Sequence, residues 1–123
     1  MNSPRKILLI DKAPDRKERI GQLKANGYAV FPALQLEEAR SRCMRGGYDL
    51  IIVNAEGQPQ EALQFCDTMR TTCPQQPLLM CTRADGDAAN RDYAVSAAPD
   101  ALLQRVDALL KQSDSPGGYA NAA

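Results

Sequence analysis

The chain contains no histidine, and this absence removes several kinds of chemistry. Without an imidazole there is no phosphohistidine relay, no Ser–His or Cys–His nucleophile pair and no histidine metal ligand within the sequence. The cysteines Cys43, Cys66, Cys73 and Cys81 form no C-x-x-C spacing, the usual sign of a zinc or dithiol site. We interpret three of them as small apolar core residues and Cys73 as a turn residue.

Long hydrophobic runs and net charge are also missing. No apolar run approaches the roughly 20 residues that cross a bilayer. The apolar run Ile7–Ile10, which follows the N-terminal residues, is too short for the core of a signal peptide. Lys plus Arg equals Asp plus Glu at 15 each, so no net field attracts nucleic acid or an anionic membrane. These features predict a cytoplasmic protein without nucleic-acid or membrane partners.

The glycine motifs of nucleotide-binding and hydrolytic enzymes are absent as well. The sequence has no G-x-G-x-x-G, no G-x-x-x-x-G-K-[ST] and no G-x-S-x-G. The segment Lys12–Pro14 contains no glycine through which a backbone could surround a phosphate. We therefore predict that the chain is not an enzyme, with an unrelated ligand-binding α/β domain as an alternative.

The apolar segments that are present alternate between strand and helix patterns. With 123 residues the chain is long enough for one domain, expected at residues 1–112, and residues 113–123 are expected to form a disordered tail. Strands are predicted at Lys6–Ile10, Tyr28–Phe31, Leu50–Val53, Leu78–Thr82 and Tyr93–Ser96. Helices are predicted at Pro14–Asn26, Leu36–Arg45, Gln60–Thr71 and Ala101–Lys111. This order predicts an α/β fold with a doubly wound, five-stranded parallel sheet.

Polar residues follow several of these strands directly. In open parallel sheets, binding and chemistry gather at the carboxyl ends of the strands. Any functional site is therefore expected among the residues at that edge, which are Asp11 and Lys12, Asn54–Glu56, Thr82 and Arg83, and Ser96.

The order and spacing of these segments resemble the receiver domain of two-component response regulators, a phosphorylatable switch with a flavodoxin-like fold. The resemblance covers residues 5–111 and is carried by Ile7–Asp15, Tyr48–Val53, Pro77–Thr82, Asp92–Ser96 and Pro99–Leu103. It implies a domain that takes part in signal transduction. It also implies an acidic metal pocket, a phosphoacceptor and a switch pair at defined positions.

Several of those positions depart from the family pattern. The family holds Mg²⁺ with two adjacent acidic residues after the first strand, and here these are Asp11 and Lys12. The phosphoacceptor aspartate is replaced by Asn54, and the lysine after the fifth strand by Ser96. With two carboxylates fewer, affinity for a hard cation should fall sharply. The resemblance therefore implies a degenerate pseudo-receiver with no cofactor and weak or no Mg²⁺ binding.

Other positions keep the family type or offer a substitute. Thr82 and Tyr93 match the two residues of the family's switch relay. One hypothesis is that Lys12 pairs with Asp11 in place of the ion; the alternative is that Lys12 points into solvent. Glu56 lies where the family offers a backbone carbonyl to the metal, so it is either a weak ligand together with Asp11 or a surface glutamate.

The segment Arg83–Arg91 is short for a parallel crossover and carries no apolar stripe. We expect the family's fourth helix to be shortened or absent here, the alternative being a fifth strand that begins beyond Ala94. Its loss would expose apolar side chains of the fourth and fifth strands. We therefore predict a binding surface on the face of these strands and the last helix, filled by a second copy, a partner helix or the tail.

These observations predict a non-enzymatic receiver module in two-component-type signalling that works without phosphorylation and binds a protein partner or a second copy. A receiver phosphorylated at a non-standard site is the alternative. Its candidates are poor, because Asp49 lies at the amino end of its strand and Asp11 matches a metal ligand of the family.

Overall fold

The computed structural model describes residues 4–83 and 91–114. Strands and helices alternate through them as β1 (Lys6–Ile10), α1 (Arg16–Ala25), β2 (Ala29–Ala33), α2 (Leu36–Arg45), β3 (Leu50–Asn54), α3 (Pro59–Thr72), β4 (Leu78–Thr82), β5 (Ala94–Ser96) and α4 (Pro99–Asp114). Each predicted element is present, and most of the differences lie at element ends. β5 begins one residue later than predicted, and α4 continues past the predicted domain boundary at residue 112.

The sheet has five parallel strands in the order β2-β1-β3-β4-β5, which confirms the predicted fold class. β1 and β3 are central because they are continuous apolar runs, which suit strands covered on both faces. Ile10 lies opposite Val53, and Asn54 lies opposite Cys81. This register places the residues that follow β1 beside the end of β3.

Side chains of each strand alternate between two cores, one on each face of the sheet. On one face, Ile7, Leu9, Leu50 and Ile52 pack with α1 and α4 residues that include Leu23 and Leu102. On the other face, Leu8, Ile10, Ile51 and Val53 pack with α2 and α3 residues that include Ala39 and Phe65. Because both faces are filled, the side chains beyond the strand ends have a rigid support.

The cysteines have the environments that the sequence predicts. Cys66 and Cys81 are buried, Cys43 is partly buried and Cys73 is exposed, all as free thiols. Burial raises the pKa of Cys66 and of Cys81 to about 12, so both thiols stay protonated and behave as apolar core residues.

The connection between β4 and β5 is only partly described. No helix lies there among the described residues, but the predicted shortening of the fourth helix falls on residues 84–90, outside the described part of the chain. The predicted disordered tail also lies outside the described part of the chain, from residue 115 onward. Within the described residues, no helix is long and apolar enough to cross a membrane.

The expected exposure of apolar side chains on β4 and β5 is wrong for the described residues. β4 is buried up to Cys81, and Ala94 and Val95 of β5 are half-buried. Among the residues with described side chains, the large apolar ones that are exposed lie at the opposite edge of the sheet: Phe31 at 39% and Leu34 at 46%.

That opposite edge is formed by β2, whose outer side carries a proline. The backbone N–H of Asp11 donates to the carbonyl of Ala33 at 2.9 Å, so by alternation Pro32 faces away from β1. Proline has no N–H to offer a further strand. Its carbonyl already accepts a hydrogen bond of 3.1 Å from Arg42 Nη1. Both features discourage edge-to-edge association.

We expect the double variant Pro32→Val with Arg42→Ala to self-associate more than the wild type. The variant frees an outward N–H and an outward carbonyl, each able to gain on the order of 1 kcal/mol as a backbone hydrogen bond. Light scattering over a concentration series measures this as a steeper rise in average mass. Pro74→Val, in an exposed turn after α3, is the control and should leave the rise unchanged. A double variant that matches the wild type would contradict this account of the edge.

Candidate functional site

The site lies at the carboxyl ends of β1 and β3, where Asp11 and Asn54 meet. Both side chains are buried, with 2% and 1% of their surfaces exposed. Asn54 Nδ2 donates a hydrogen bond of 3.0 Å to Asp11 Oδ1, and the backbone N–H of Ala13 donates to the same oxygen at 3.0 Å. The amide of Asn54 therefore acts as a neutral donor to a buried carboxylate.

A third buried side chain, Arg19 of α1, completes this centre. It is 1% exposed, and it donates from Nε to Asp11 Oδ2 at 2.7 Å and from Nη2 to Asp11 Oδ1 at 3.2 Å. The guanidinium also donates to both oxygens of Asp15, from Nη1 at 3.0 Å and from Nη2 at 2.7 Å. One planar cation thus binds two carboxylates through paired hydrogen bonds, the geometry in which arginine differs most from lysine.

The position of Arg19 follows from the local structure of α1. Asp15 is the N-cap residue of this helix, and Arg19 lies one turn later on the same face. The carboxylate of Asp15 makes no capping hydrogen bond to the helix, because it is turned toward the guanidinium. The first turn of α1 therefore places the guanidinium of Arg19 beside Asp11, at the carboxyl end of β1.

The charged groups of this centre shift the pKa values of one another. Burial alone would lower the pKa of Arg19, but the hydrogen bonds that it donates to Asp11 and Asp15 outweigh this effect and raise the pKa above its usual value. The hydrogen bond from Arg19 in turn lowers the pKa of Asp15, against the effect of burial. At neutral pH the pocket therefore contains a permanently charged guanidinium with an ionised partner.

The hypothesis that Lys12 pairs with Asp11 is wrong, because the cation on Asp11 is Arg19. Lys12 is exposed, and its Cε lies 3.8 Å from the place where a Cβ on Gly57 would be. Residues adjacent in the chain point in different directions, so Lys12 cannot easily reach the carboxylate that precedes it. The alternative prediction, that Lys12 points into solvent, agrees with the structure.

An outer layer of charges closes the site toward solvent. Arg83 follows β4 and lies 3.5 Å from an oxygen of Asp15 and 3.5 Å from an oxygen of Glu56, with 64% of its side chain exposed. The backbone N–H of Glu56 donates to Asn54 Oδ1 at 3.0 Å. The turn that places Glu56 passes through Gly57, whose φ of +81° is a conformation that favours glycine. Glu56 therefore contacts a guanidinium across the mouth of the pocket.

The other residues singled out from the sequence lie around this centre or away from it. Thr82 ends β4 and lies opposite Ser96 of β5. Ser96 is exposed, and its hydroxyl accepts a hydrogen bond of 3.2 Å from the backbone N–H of Ala98. Tyr93 is buried before β5, and its hydroxyl donates to Asp67 of α3 at 2.6 Å. The two positions of the switch pair thus have different surroundings, and Tyr93 is turned toward α3.

Both oxygens of Asp11 accept hydrogen bonds from neighbouring groups of the chain. Asp11 Oδ1 accepts hydrogen bonds from Ala13, Asn54 and Arg19, and Oδ2 accepts one from Arg19. Among the residues that the structure describes, no cluster of three or more Cys, Asp or Glu side chains could hold a metal ion. A cation entering here would have to displace a buried guanidinium.

Comparison with known proteins agrees with the fold. No protein-family model matches the sequence. The transcriptional regulatory protein ResD of Bacillus subtilis (strain 168) is 30% identical in an alignment 128 residues long, which covers 95% of this chain and 52% of ResD. The chain thus spans about half the length of this curated relative.

Solved structures show the same architecture. A two-component response regulator from Clostridium difficile is 23% identical with a TM-score of 0.73, over 90% of this chain and 99% of the other. The response regulator TrrA from Thermotoga maritima, solved with Mg²⁺-BeF, is 26% identical with a TM-score of 0.71, over 86% and 99%. These similarities show that the chain has the fold of response-regulator receiver domains.

We expect Arg19→Met to lower the free energy of unfolding by about 3 to 5 kcal/mol, because Asp11 would remain buried without its cation. Urea unfolding at neutral pH measures the change. Lys17→Met, at an exposed position of the same helix, is the control and should change stability by less than about 0.5 kcal/mol. Equal, small effects of the two substitutions would show that the Arg19 ion pairs are not a structural requirement.

Proposed function

We propose that this chain is a receiver module in two-component-type signalling that binds a protein partner without a phosphorylation cycle. The observation that carries the proposal is the buried guanidinium of Arg19 on Asp11 and Asp15. It supplies, as part of the chain, the positive charge that a divalent cation would bring to an acidic pocket. The buried carboxylate of Asp11 then has a resident cation without metal or phosphate.

The charge count supports this function. Asp11, Asp15 and Glu56 are the carboxylates of the pocket, and Arg19 and Arg83 contact all three of them. A divalent cation gains affinity from carboxylates that lack other partners. Since these carboxylates already have cations, binding Mg²⁺ would break ion pairs before it could form new bonds.

Asn54 fits the same arrangement. Its Nδ2 donates to Asp11 while its Oδ1 accepts from the backbone of Glu56, so both ends of the amide are used. A carboxylate at this position would have no donor for Asp11 and would add a second buried negative charge beside it. The amide is therefore matched to a pocket in which Arg19 is the resident cation, and it offers no carboxylate for phosphate.

The comparisons support the partner class. TrrA, named above, is also known in complex with the histidine kinase ThkA, and ResD is named a transcriptional regulatory protein. On this basis we infer that the present chain acts through contacts with another signalling protein. We propose no enzymatic activity for it.

We expect Mg²⁺ at millimolar concentration to leave the amide NMR shifts of Asp11 and Asn54 unchanged, because Arg19 occupies the carboxylates. Asn54→Asp alone should remain unlabelled by acetyl phosphate, since the cation that must bind first is still excluded. Intact mass after incubation with acetyl phosphate and Mg²⁺ provides the second measurement. Efficient labelling of Asn54→Asp, or of the wild type at any residue, would overturn the proposal.

A double variant, Arg19→Met with Asn54→Asp, separates the exclusion of Mg²⁺ by Arg19 from the absence of a carboxylate at position 54. It leaves two carboxylates without a cation, so Mg²⁺ should now stabilise the domain. A concentration ten times the dissociation constant corresponds to about 1.4 kcal/mol of added stability. Thermal unfolding with and without Mg²⁺ should show this shift in the double variant but not in Asn54→Asp. A Mg²⁺ shift of equal size in both would show that Arg19 does not exclude the metal.

A further inference from the structure

A second group of charges joins α3 to the residues just before β5. Asp67 of α3 accepts two hydrogen bonds from Arg91, from Nε at 3.0 Å and from Nη2 at 2.9 Å. The same carboxylate accepts a hydrogen bond of 2.6 Å from the hydroxyl of Tyr93. One side chain of α3 thus holds two residues of the segment that leads into β5.

Arg70, one turn further along α3, holds the residue between them. Its Nη1 and Nη2 donate to the two oxygens of Asp92 at 2.8 Å and 3.0 Å. Its guanidinium carbon also lies 5.8 Å from the centre of the Tyr93 ring, at cation–π distance. Three consecutive residues, 91–93, are therefore attached to two residues of α3.

The ring of Tyr93 is buried although its hydrogen-bond partners are not. It is 3% exposed and packs in the core layer that contains Cys66 and Met80. The side chains of Asp67 and Arg91 are 45% and 37% exposed. The hydroxyl therefore lies where the core meets solvent, and an outward rotation of the ring would break its bond to Asp67 and leave a void.

The protonation states of this group are fixed as well. The hydrogen bonds from Arg91 and Tyr93 lower the pKa of Asp67, so its carboxylate stays an acceptor. Burial and the hydrogen bond to Asp67 raise the pKa of the Tyr93 hydroxyl well above its usual range, so it stays a donor. At neutral pH the Tyr93 hydroxyl is therefore the donor of this hydrogen bond and the Asp67 carboxylate is the acceptor.

We propose that Asp67 is a positioning residue that latches Tyr93 in its buried orientation and so fixes the segment entering β5. The inference rests on the proposed function, since it explains how the β5 side of this domain keeps one conformation without phosphorylation. The latch is the hydrogen bond between Tyr93 and Asp67 of α3, and it involves no residue of the Asp11 pocket. A protein partner that binds this side meets a surface that is already ordered.

The test changes one side-chain group of the latch at a time and measures local opening. Tyr93→Phe deletes only the hydroxyl, and Asp67→Asn removes the charge while keeping an oxygen acceptor. The N–H of Met80 donates to the carbonyl of Tyr93 at 2.8 Å, and the N–H of Ala94 donates to the carbonyl of Arg91 at 3.0 Å. We expect hydrogen exchange at these two amides to accelerate about tenfold in either variant, the effect of losing one hydrogen bond to a charged group.

Tyr28→Phe is the matched control, because it deletes a tyrosine hydroxyl bound to Asp107 at 2.5 Å in the other core layer. It should leave exchange at Met80 and Ala94 unchanged relative to global unfolding. Urea unfolding gives the change in the free energy of unfolding for each variant. The changes for Asp67→Asn and Tyr93→Phe should not add in the double variant, whereas those for Asp67→Asn and Tyr28→Phe should add. A merely structural contribution would change global stability without the local effect, and unchanged local exchange would overturn the latch.

The measurements are made without Mg²⁺ or phosphate donors, which separates this inference from the proposed function. Failure of the latch leaves the result of the Mg²⁺ and acetyl phosphate experiments untouched. Phosphorylation of the wild type would overturn the proposed function while leaving the exchange result at Met80 and Ala94 to stand by itself.

Discussion

The structure of the site depends on one ion pair, between Arg19 and Asp11. Asp11 follows a central strand and is almost fully buried, so water cannot solvate its charge. A carboxylate in that place needs a cation that comes with it. The chain provides the cation from α1, with Asp15 as a second anchor that sets its orientation. A guanidinium attached to the backbone cannot diffuse away or be chelated, so this cation is a permanent part of the pocket.

The neighbouring residues can be understood as adjustments to that pair. A neutral amide at Asn54 adds a donor to Asp11 without adding charge, and its own oxygen orders the turn that carries Glu56. Arg83 then contacts Glu56 and the outer oxygen of Asp15 from the next strand. These outer contacts are exposed and long, and each contributes little by itself. Their effect is to exclude free carboxylates from the mouth of the pocket, which matters more for ion binding than for stability.

The sequence predicts the fold well because strands such as Leu50–Val53 and helices with clear apolar spacing are local patterns. The meeting of Asp11 with Asn54 follows from two features, the parallel direction of the strands and the adjacency of β1 and β3 in the sheet. Arg19 could not be identified in the same way, since an arginine on a helix beside Ile20 is usually solvated. Its only local signal is the i, i+4 spacing to Asp15. The predicted pair of Lys12 with Asp11 is wrong because neighbours in sequence need not be neighbours in space. The contact between Asp67 and Tyr93 depends on tertiary packing, which no local pattern indicates.

The two charge groups suggest what regulates such a domain. A ligand shifts a conformational equilibrium only by the difference between its affinities for the two states. On the proposed function, Arg19 fills the acidic pocket and Asp67 holds Tyr93, so neither metal nor phosphate has a state to favour. On the same proposal, the remaining ligand with differential affinity would be a protein partner. Signalling through this domain would then follow the concentration and location of the partner, with the receiver fold serving as a preordered surface.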